Sequence, residues 1–534
     1  MGFFFLLLFL FFLHRNDVVV KIPGGVLREG LVGTPQYINP VLAQESSDRA
    51  LTRLVFGTLL HREGQDTYFD LADDLIVSPD RKKYTLVLRD DIYFHDGQKI
   101  TADDVVFTLE KIQDPQTKSP LFAKWEGVKI KKIDNREIEF DLEQAYSDFE
   151  DNLNIGVLPK HLWKNIKSSE FIFSRLNQHP IGSGPYALEK IKYRKDGVPS
   201  AYFLKRFDKK AYLEEIIFFF YENIDDLEKA YQQGEIDAVY GLPPQEDFKD
   251  KNQFHLYTGK TSRIFALFLN PQKQSLFQSK EMRKLLDEML PKQEIIAKVL
   301  HHYAFPIDNP LGEKETLKKV DRQKIVKQLD AYLTKNGWEK DVNGFYRNKK
   351  TKKYLSLSIA TKNNEDLLKT AQIIKERLEG YGIKVKIQSY EAGDFHQKVI
   401  RTRDYESLLY GYLLEKPTDL YAFWHSSQRI DPGLNLSLYI NRSVDTNLEL
   451  LRKKGGEKYL DAISRDIQKD IPAIFIYSPQ YTYLLPRNIQ GVHLGKLIHQ
   501  EDRFYGVRDW YQKTRRVWNF FIKKDRSGSD FGEK

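Results

Sequence analysis

The chain has 534 residues, 41% of them hydrophobic and 30% charged, a globular balance that excludes a disordered, collagen-like or polytopic membrane protein. It contains no cysteine, which removes disulfides, thiolate metal sites, cysteine nucleophiles and a lipid-modified N-terminal cysteine. The formal charge is +8, and half of that excess falls in residues 511–534, too weak and too local to make nucleic acid the main partner.

Residues 3–13 are an unbroken run of Phe and Leu, followed at once by His14 and Arg15. As a helix the run covers roughly 16 Å, against a bilayer core of about 30 Å, so it fits a signal-type hydrophobic region better than a transmembrane span. It has no basic leader and no small-residue cleavage site, and the expectation is an uncleaved export anchor over 1–23. Val26–Val32 reads as a strand and Gly33-Thr34-Pro35 as a turn. Residues 84–89 alternate as a half-exposed strand. Thr101 is placed to cap a helix, with Asp104 three residues on completing a capping box and Val105, Val106, Leu109 and Ile112 on one face. Alternation recurs over 136–142. A helix is expected over 225–233 with a strand over 236–240, and two amphipathic helices over 282–290 and 292–300, broken at Pro291. Asn343-Gly344 marks a hairpin turn, with 354–360 as its partner strand. A helix over 367–378, closed by Gly380, precedes a strand over 383–387. Helix-then-strand units mixed with hairpins indicate an α/β protein. The polar end of the chain after Trp510 reads as a basic tail over 511–534.

Catalytic constellations are missing. There is no phosphate-binding G-x-x-x-x-G-K-[ST] loop, no H-E-x-x-H helix and no G-x-S-x-G elbow. Gly182-Ser183-Gly184 is followed by Pro185 and reads as a turn before a strand. His301 and His302 point about 100° apart on a helix and make a poor metal pair. The acidic pairs at 73–74, 90–91, 103–104 and 225–226 sit at turns and helix starts, where carboxylates cap free N–H groups. The chain is expected to bind rather than to catalyse, with no cofactor and no metal. Its 30 Tyr, 34 Phe and 6 Trp suit a groove that grips varied ligands.

Several segments in order resemble the family 5 extracellular solute-binding proteins, the dipeptide- and oligopeptide-binding receptors of ABC importers. The most specific is Phe94-His95-Asp96-Gly97 followed by Thr101-Ala102-Asp103-Asp104-Val105. Others are Glu29-Gly30 with Ile38-Asn39-Pro40, Gly182-Ser183-Gly184-Pro185-Tyr186, Gly234-Glu235-Ile236-Asp237-Ala238, Gly337-Trp338, Tyr381-Gly382-Ile383, and Phe423-Trp424-His425-Ser426 with Val444-Asp445. The resemblance spans about residues 26–510. It implies an α/β, two-lobed type II periplasmic-binding-protein fold that closes on its ligand by a hinge. Lobe I would comprise 24–50, 177–262 and 484–510, with an inserted subdomain at 51–176, and lobe II would be 263–483.

The resemblance further implies an exported, monomeric receptor at the outer face of the membrane or in the periplasm. It would capture short peptides and pass them to an ABC permease. Peptide-binding members hold the ligand's amino group with an acid just after a Gly-aromatic pair. Here the pair is Gly411-Tyr412 and the matching acid Glu415. Gln36, Tyr37, Tyr412 and Trp424 are the other expected cleft residues. Two departures stand out: the usual Asp-Tyr-x-x-Pro continuation is Glu415-Lys416-Pro417-Thr418-Asp419, and the position where some members carry a base for the peptide carboxylate is Leu409. A nickel complex or an oligosaccharide as solute, a secreted hydrolase and a surface scaffold remain as alternatives.

Overall fold

The computed structural model describes residues 17–63, 66–145, 148–242, 254–312 and 321–518. The apolar run at 3–13 and the chain beyond 518 lie outside the described residues. No described helix is long and apolar enough to cross a membrane.

The secondary structure follows the sequence signals closely. Strands form at Val26–Val32, Lys83–Leu88 and Glu137–Asp141. The helix Ala102–Gln113 starts on the expected capping box, with both the Thr101 and the Asp104 side-chain bonds made. Helices Lys280–Met289 and Lys292–Val299 flank Pro291, and Glu365–Glu379 ends at Gly380. One expectation is corrected. The Asn343-Gly344 turn joins Trp338–Lys340 to Tyr346–Asn348, whereas Ser356–Lys362 runs parallel to both Lys384–Tyr390 and Ser407–Leu413 inside a larger sheet. A second difference lies at the ends. Asp17–Ile22 and Lys513–Trp518, within segments expected to be an anchor and a tail, pair antiparallel as a two-stranded ribbon.

Twelve strands form one ladder, and a single strand pairs with both of its halves. This is the 14-residue strand Ala473–Pro486. Its first part pairs with Arg263–Leu269, which in turn pairs with Ser407–Leu413. Its last part pairs with Phe254–Lys260 and Ala238–Tyr240, leading on to Val26–Val32 and Glu215–Tyr221. The consecutive strands Phe254–Lys260 and Arg263–Leu269 therefore lie on opposite halves. Where the two crossings meet, the Thr261 hydroxyl donates to the carbonyl of Pro479 at 2.7 Å.

Separate apolar cores lie on either side of this crossing. One gathers Leu27, Leu54, Phe94, Phe140, Trp163 and Phe218, and includes a four-stranded sheet over residues 72–141. The other side holds two cores, one around Leu285, Ile359 and Ile374, the other around Phe268, Tyr412 and Trp424.

Two of the motifs in the family resemblance form one structural unit. Nδ1 of His95 accepts from the N–H of Gly182 at 3.3 Å, so Nε2 carries the proton and donates to the carbonyl of Gly184 at 3.1 Å. A Cβ at Gly182 or Gly184 would lie 2.1 Å or 2.3 Å from the carbonyl oxygens of Val55 and Leu54, so only glycine permits this approach. Burial pushes His95 down to about 4, partly offset by its bond to Gly184. A group depressed in the fold contributes stability above its unfolded value of about 6.5 and loses it as pH falls towards 4. His95→Gln is expected to lower Tm at pH 7 and to flatten the fall in Tm between pH 6.5 and 4. Melting curves of both proteins across that range check it.

Candidate functional site

Glu415 follows the strand Ser407–Leu413, two positions before the 3-10 turn Pro417–Asp419. That turn is capped locally, the Lys416 N–H donating to Oδ2 of Asp419 at 2.9 Å. The chain therefore leaves the second half of the molecule in a fixed direction, and the Glu415 carboxylate reaches two cations that belong to the first half. Nζ of Lys124 lies 3.1 Å from Oε2, and Nε2 of His499 lies 3.4 Å from Oε1. Lys124 comes from the short helix Phe122–Trp125, and His499 precedes the 3-10 turn Gln500–Phe504. A further bond across the same boundary joins the Thr418 hydroxyl to Asp148.

Glu415, Lys124 and Thr418 border a cavity of about 720 Å³, within the size range of small-molecule sites. One wall comes from residues 123–152, the other from 415–428 and Arg452. Acids (Glu126, Glu143, Glu415, Asp419) and bases (Lys124, Lys416, Arg452) both line it.

The hydrogen bond from His499 is the largest influence on Glu415. With Lys124 it outweighs desolvation and brings the carboxyl down to about 2, so it is ionised at any physiological pH. His499 shows the complementary shift. Burial works to lower it, but the bond to Glu415 and the nearby Glu501 and Asp502 raise it above its ordinary value. The arrangement is an ionised carboxylate at the boundary between the two halves, held by partners that a competing cation could replace.

Of the residues expected at the site, the structure brings only Glu415 to the cavity. Tyr412 is 4% exposed and its hydroxyl donates to the carbonyl of Pro310 at 3.1 Å. Trp424 is 1% exposed and stacks on Phe268, with ring centroids 6.1 Å apart. Both are expected in the cleft from the sequence; here they pack in the core of the second half and do not line this cavity. Ser407–Leu413 is paired on both edges and Tyr412 packs into the core, while the helix Leu420–Trp424 turns Tyr421 and Ala422, not Trp424, towards the cavity. Gly411 is a packing requirement, because a Cβ there would lie 2.4 Å from the Phe265 ring. Gln36 and Tyr37 donate their backbone N–H groups to Oδ1 of Asp48, at 2.7 Å and 3.0 Å, and neither borders the cavity.

Lys124, His499 and Arg452 escaped the sequence reading. Lys124 and His499 are separated from Glu415 by 291 and 84 positions, and Arg452 lies in an ordinary basic last turn of the helix Arg442–Lys454. No local pattern marks them; only the tertiary fold does.

Two α/β halves joined by one continuous strand and by Phe254–Leu269, with an inserted small sheet and a charged cavity at the boundary, define a solute-binding receptor of the type II periplasmic-binding-protein fold. The chain belongs to the bacterial extracellular solute-binding proteins, family 5, whose middle-region model matches residues 67–430. It is 26% identical over 515 residues to the oligopeptide-binding protein AppA of Bacillus subtilis (strain 168), covering 91% of this chain and 92% of that protein. The solved structure of AppA from Bacillus subtilis in complex with a nonapeptide matches with a TM-score of 0.67 at 23% identity, over 92% of this chain and 100% of that one. NikZ from Campylobacter jejuni in complex with Ni(L-His) matches with a TM-score of 0.69 at 25% identity, again over 92% and 100%.

Proposed function

We propose that this chain captures short peptides in the cavity between its lobes and delivers them to an ABC permease, with no catalytic step of its own. The observation that carries the reading is Glu415, an ionised carboxylate on one side of the cavity. A peptide's charged amino terminus needs such a partner, since an unpaired buried ammonium is costly. The rest of an extended peptide satisfies its N–H and C=O groups largely through main-chain bonds, which gives affinity with little side-chain selectivity. The full-length similarity to an oligopeptide-binding protein supports the same ligand class.

The moving bodies in this reading are lobe I (24–50, 177–262, 484–510, with 51–176 inserted) and lobe II (263–483). The bending points would be Thr261-Ser262 and the middle of Ala473–Pro486, where strand pairing passes from one half to the other. Ligand shifts an open–closed equilibrium by binding both bodies at once. The receptor works as a monomer on the outer face of the membrane or in the periplasm, tethered through residues 3–13.

A second reading, a nickel chelate as solute, is favoured by the likeness to NikZ. Native mass spectrometry of the purified full chain, before and after mild acid release, separates the two. Released species that fragment as short peptides support the first reading and report ligand length. A single mass with a nickel isotope pattern would replace it with the second. A chain that emerges empty and ignores an added peptide mixture would sink the peptide reading.

A further inference from the structure

We infer that Arg452 receives the ligand's terminal carboxylate, which makes the chain selective for peptides with an unblocked carboxyl end. This rests on the peptide reading of the same cavity. An enclosed short peptide brings two charges, and each needs a partner once water is excluded. Glu415 answers the amino end. Leu409, at the position where the resemblance would put a base for the carboxyl end, is fully buried and cannot answer the other.

The cavity wall offers three cations. Lys124 is committed to Glu415 at 3.1 Å. Lys416 is adjacent in sequence to that same acid and helps to stabilise the charge on Asp419. Arg452 stands apart from these acids. Its guanidinium carbon lies 4.4 Å from the centroid of the Tyr421 ring, and among the described residues no carboxylate pairs with it. Tyr421 is itself stacked against His425, with centroids 4.2 Å apart and planes 16° from parallel, so the platform under the guanidinium is fixed.

An arginine stacked on a ring keeps the donors along its edge available, and two of them match the two oxygens of a carboxylate. Stacking also holds the long side chain in place before ligand arrives, which reduces the ordering cost of binding. The position at the end of Arg442–Lys454 would by itself explain a cation through the helix dipole, but Lys453 and Lys454 already supply that. Only Arg452 of the three borders the cavity.

Calorimetric titration of the full chain with tri-alanine, its C-terminal amide and its N-acetyl form tests the assignment. Amidation is expected to weaken binding to the unaltered protein at least about tenfold. In Arg452→Gln the free acid should bind about as weakly as the amide, while N-acetylation still weakens binding in both proteins. Arg452→Lys should recover only part of the preference, because the stacked bidentate geometry is lost. Equal binding of acid and amide by the unaltered protein would overturn the inference and leave the peptide reading standing. So would an acid-to-amide ratio unchanged in Arg452→Gln. Failure of every peptide to bind would overturn both.

Discussion

Glu415→Gln is expected to weaken peptide binding by roughly 30-fold or more while leaving the fold intact. Removing one partner of a desolvated charge pair costs about 2–5 kcal/mol. The Glu415 side chain keeps 34% of its surface, so solvent screening puts the loss near the lower end, about 2 kcal/mol, or roughly 30-fold. The same substitution leaves Lys124 and His499 without their shared anion, and both are partly exposed and can turn to water. Stability should therefore change much less than affinity. Glu415→Asp keeps the charge but shortens the reach, and is expected to lie between the two. Calorimetry for affinity and denaturant titration for stability separate the effects. Unchanged affinity in Glu415→Gln would move the amino-terminal partner elsewhere.

The partners of Glu415 also give binding a pH dependence with a definite sign. His499 is raised above about 6.5 by its bond to Glu415, so its stabilising contribution is complete below that value and is lost as pH rises through the raised one. An arriving ammonium takes over the carboxylate and returns His499 towards its ordinary value, which releases a proton. Affinity should therefore rise with pH from about 6.5. It should turn down near pH 8, where the peptide's α-amino group loses its own proton. His499→Asn should remove the rising limb and keep the falling one. Calorimetry in two buffers of different ionisation enthalpy reads the released proton directly.

How far the sequence carries depends on the distance over which each feature is decided. The helix Ala102–Gln113 is legible because its capping box and apolar stripe lie within twelve residues. The turn at Asn343-Gly344 is legible for the same reason. Its partner strand is not, because Ser356–Lys362 alternates like a hairpin strand yet is drawn between two parallel neighbours by the helix Glu365–Glu379 that follows it. The family motifs lead to the fold and to Glu415, and the structure gives some of them a physical reason, as in the contact of His95 with Gly182 and Gly184. They do not separate a residue that touches the cavity from one that supports it. Tyr412 lies only three positions before Glu415, but Ser407–Leu413 runs between Ser356–Lys362 and Arg263–Leu269, so its rings pack into core. Lys124 and His499 reach Glu415 only through tertiary contact, across the boundary between the two halves.

Arg503→Met is expected to cost about 3–5 kcal/mol of stability, more than Glu415→Gln or His95→Gln, because it strands a carboxylate in the interior. Arg503 and Glu29 are both fully buried, with Nε of the guanidinium 3.1 Å from Oε1 of the acid. The Tyr483 hydroxyl donates to the other oxygen at 2.7 Å, and the guanidinium lies over the Phe504 ring, 4.2 Å from its centroid. One ion pair thus ties together the central strand Val26–Val32, the long strand Ala473–Pro486 and the turn Gln500–Phe504. Glu29→Gln combined with Arg503→Met should cost less than the sum of the single changes, since it removes the unpaired charge along with its partner. The pair also has a consequence for binding, although neither residue borders the cavity. His499 is held at the mouth of the same turn, its N–H donating to Asp502 at 2.8 Å, and the turn is fixed to the lobe through Arg503. If Arg503→Met folds at low temperature, His499 should lose its register on Glu415. The rise of affinity with pH should then disappear, as in His499→Asn. Glu415→Gln should show the reverse pattern, a nearly unchanged denaturation midpoint with affinity lost. A stability loss in Arg503→Met that leaves the pH limb intact would mean that His499 is positioned by Asp502 alone.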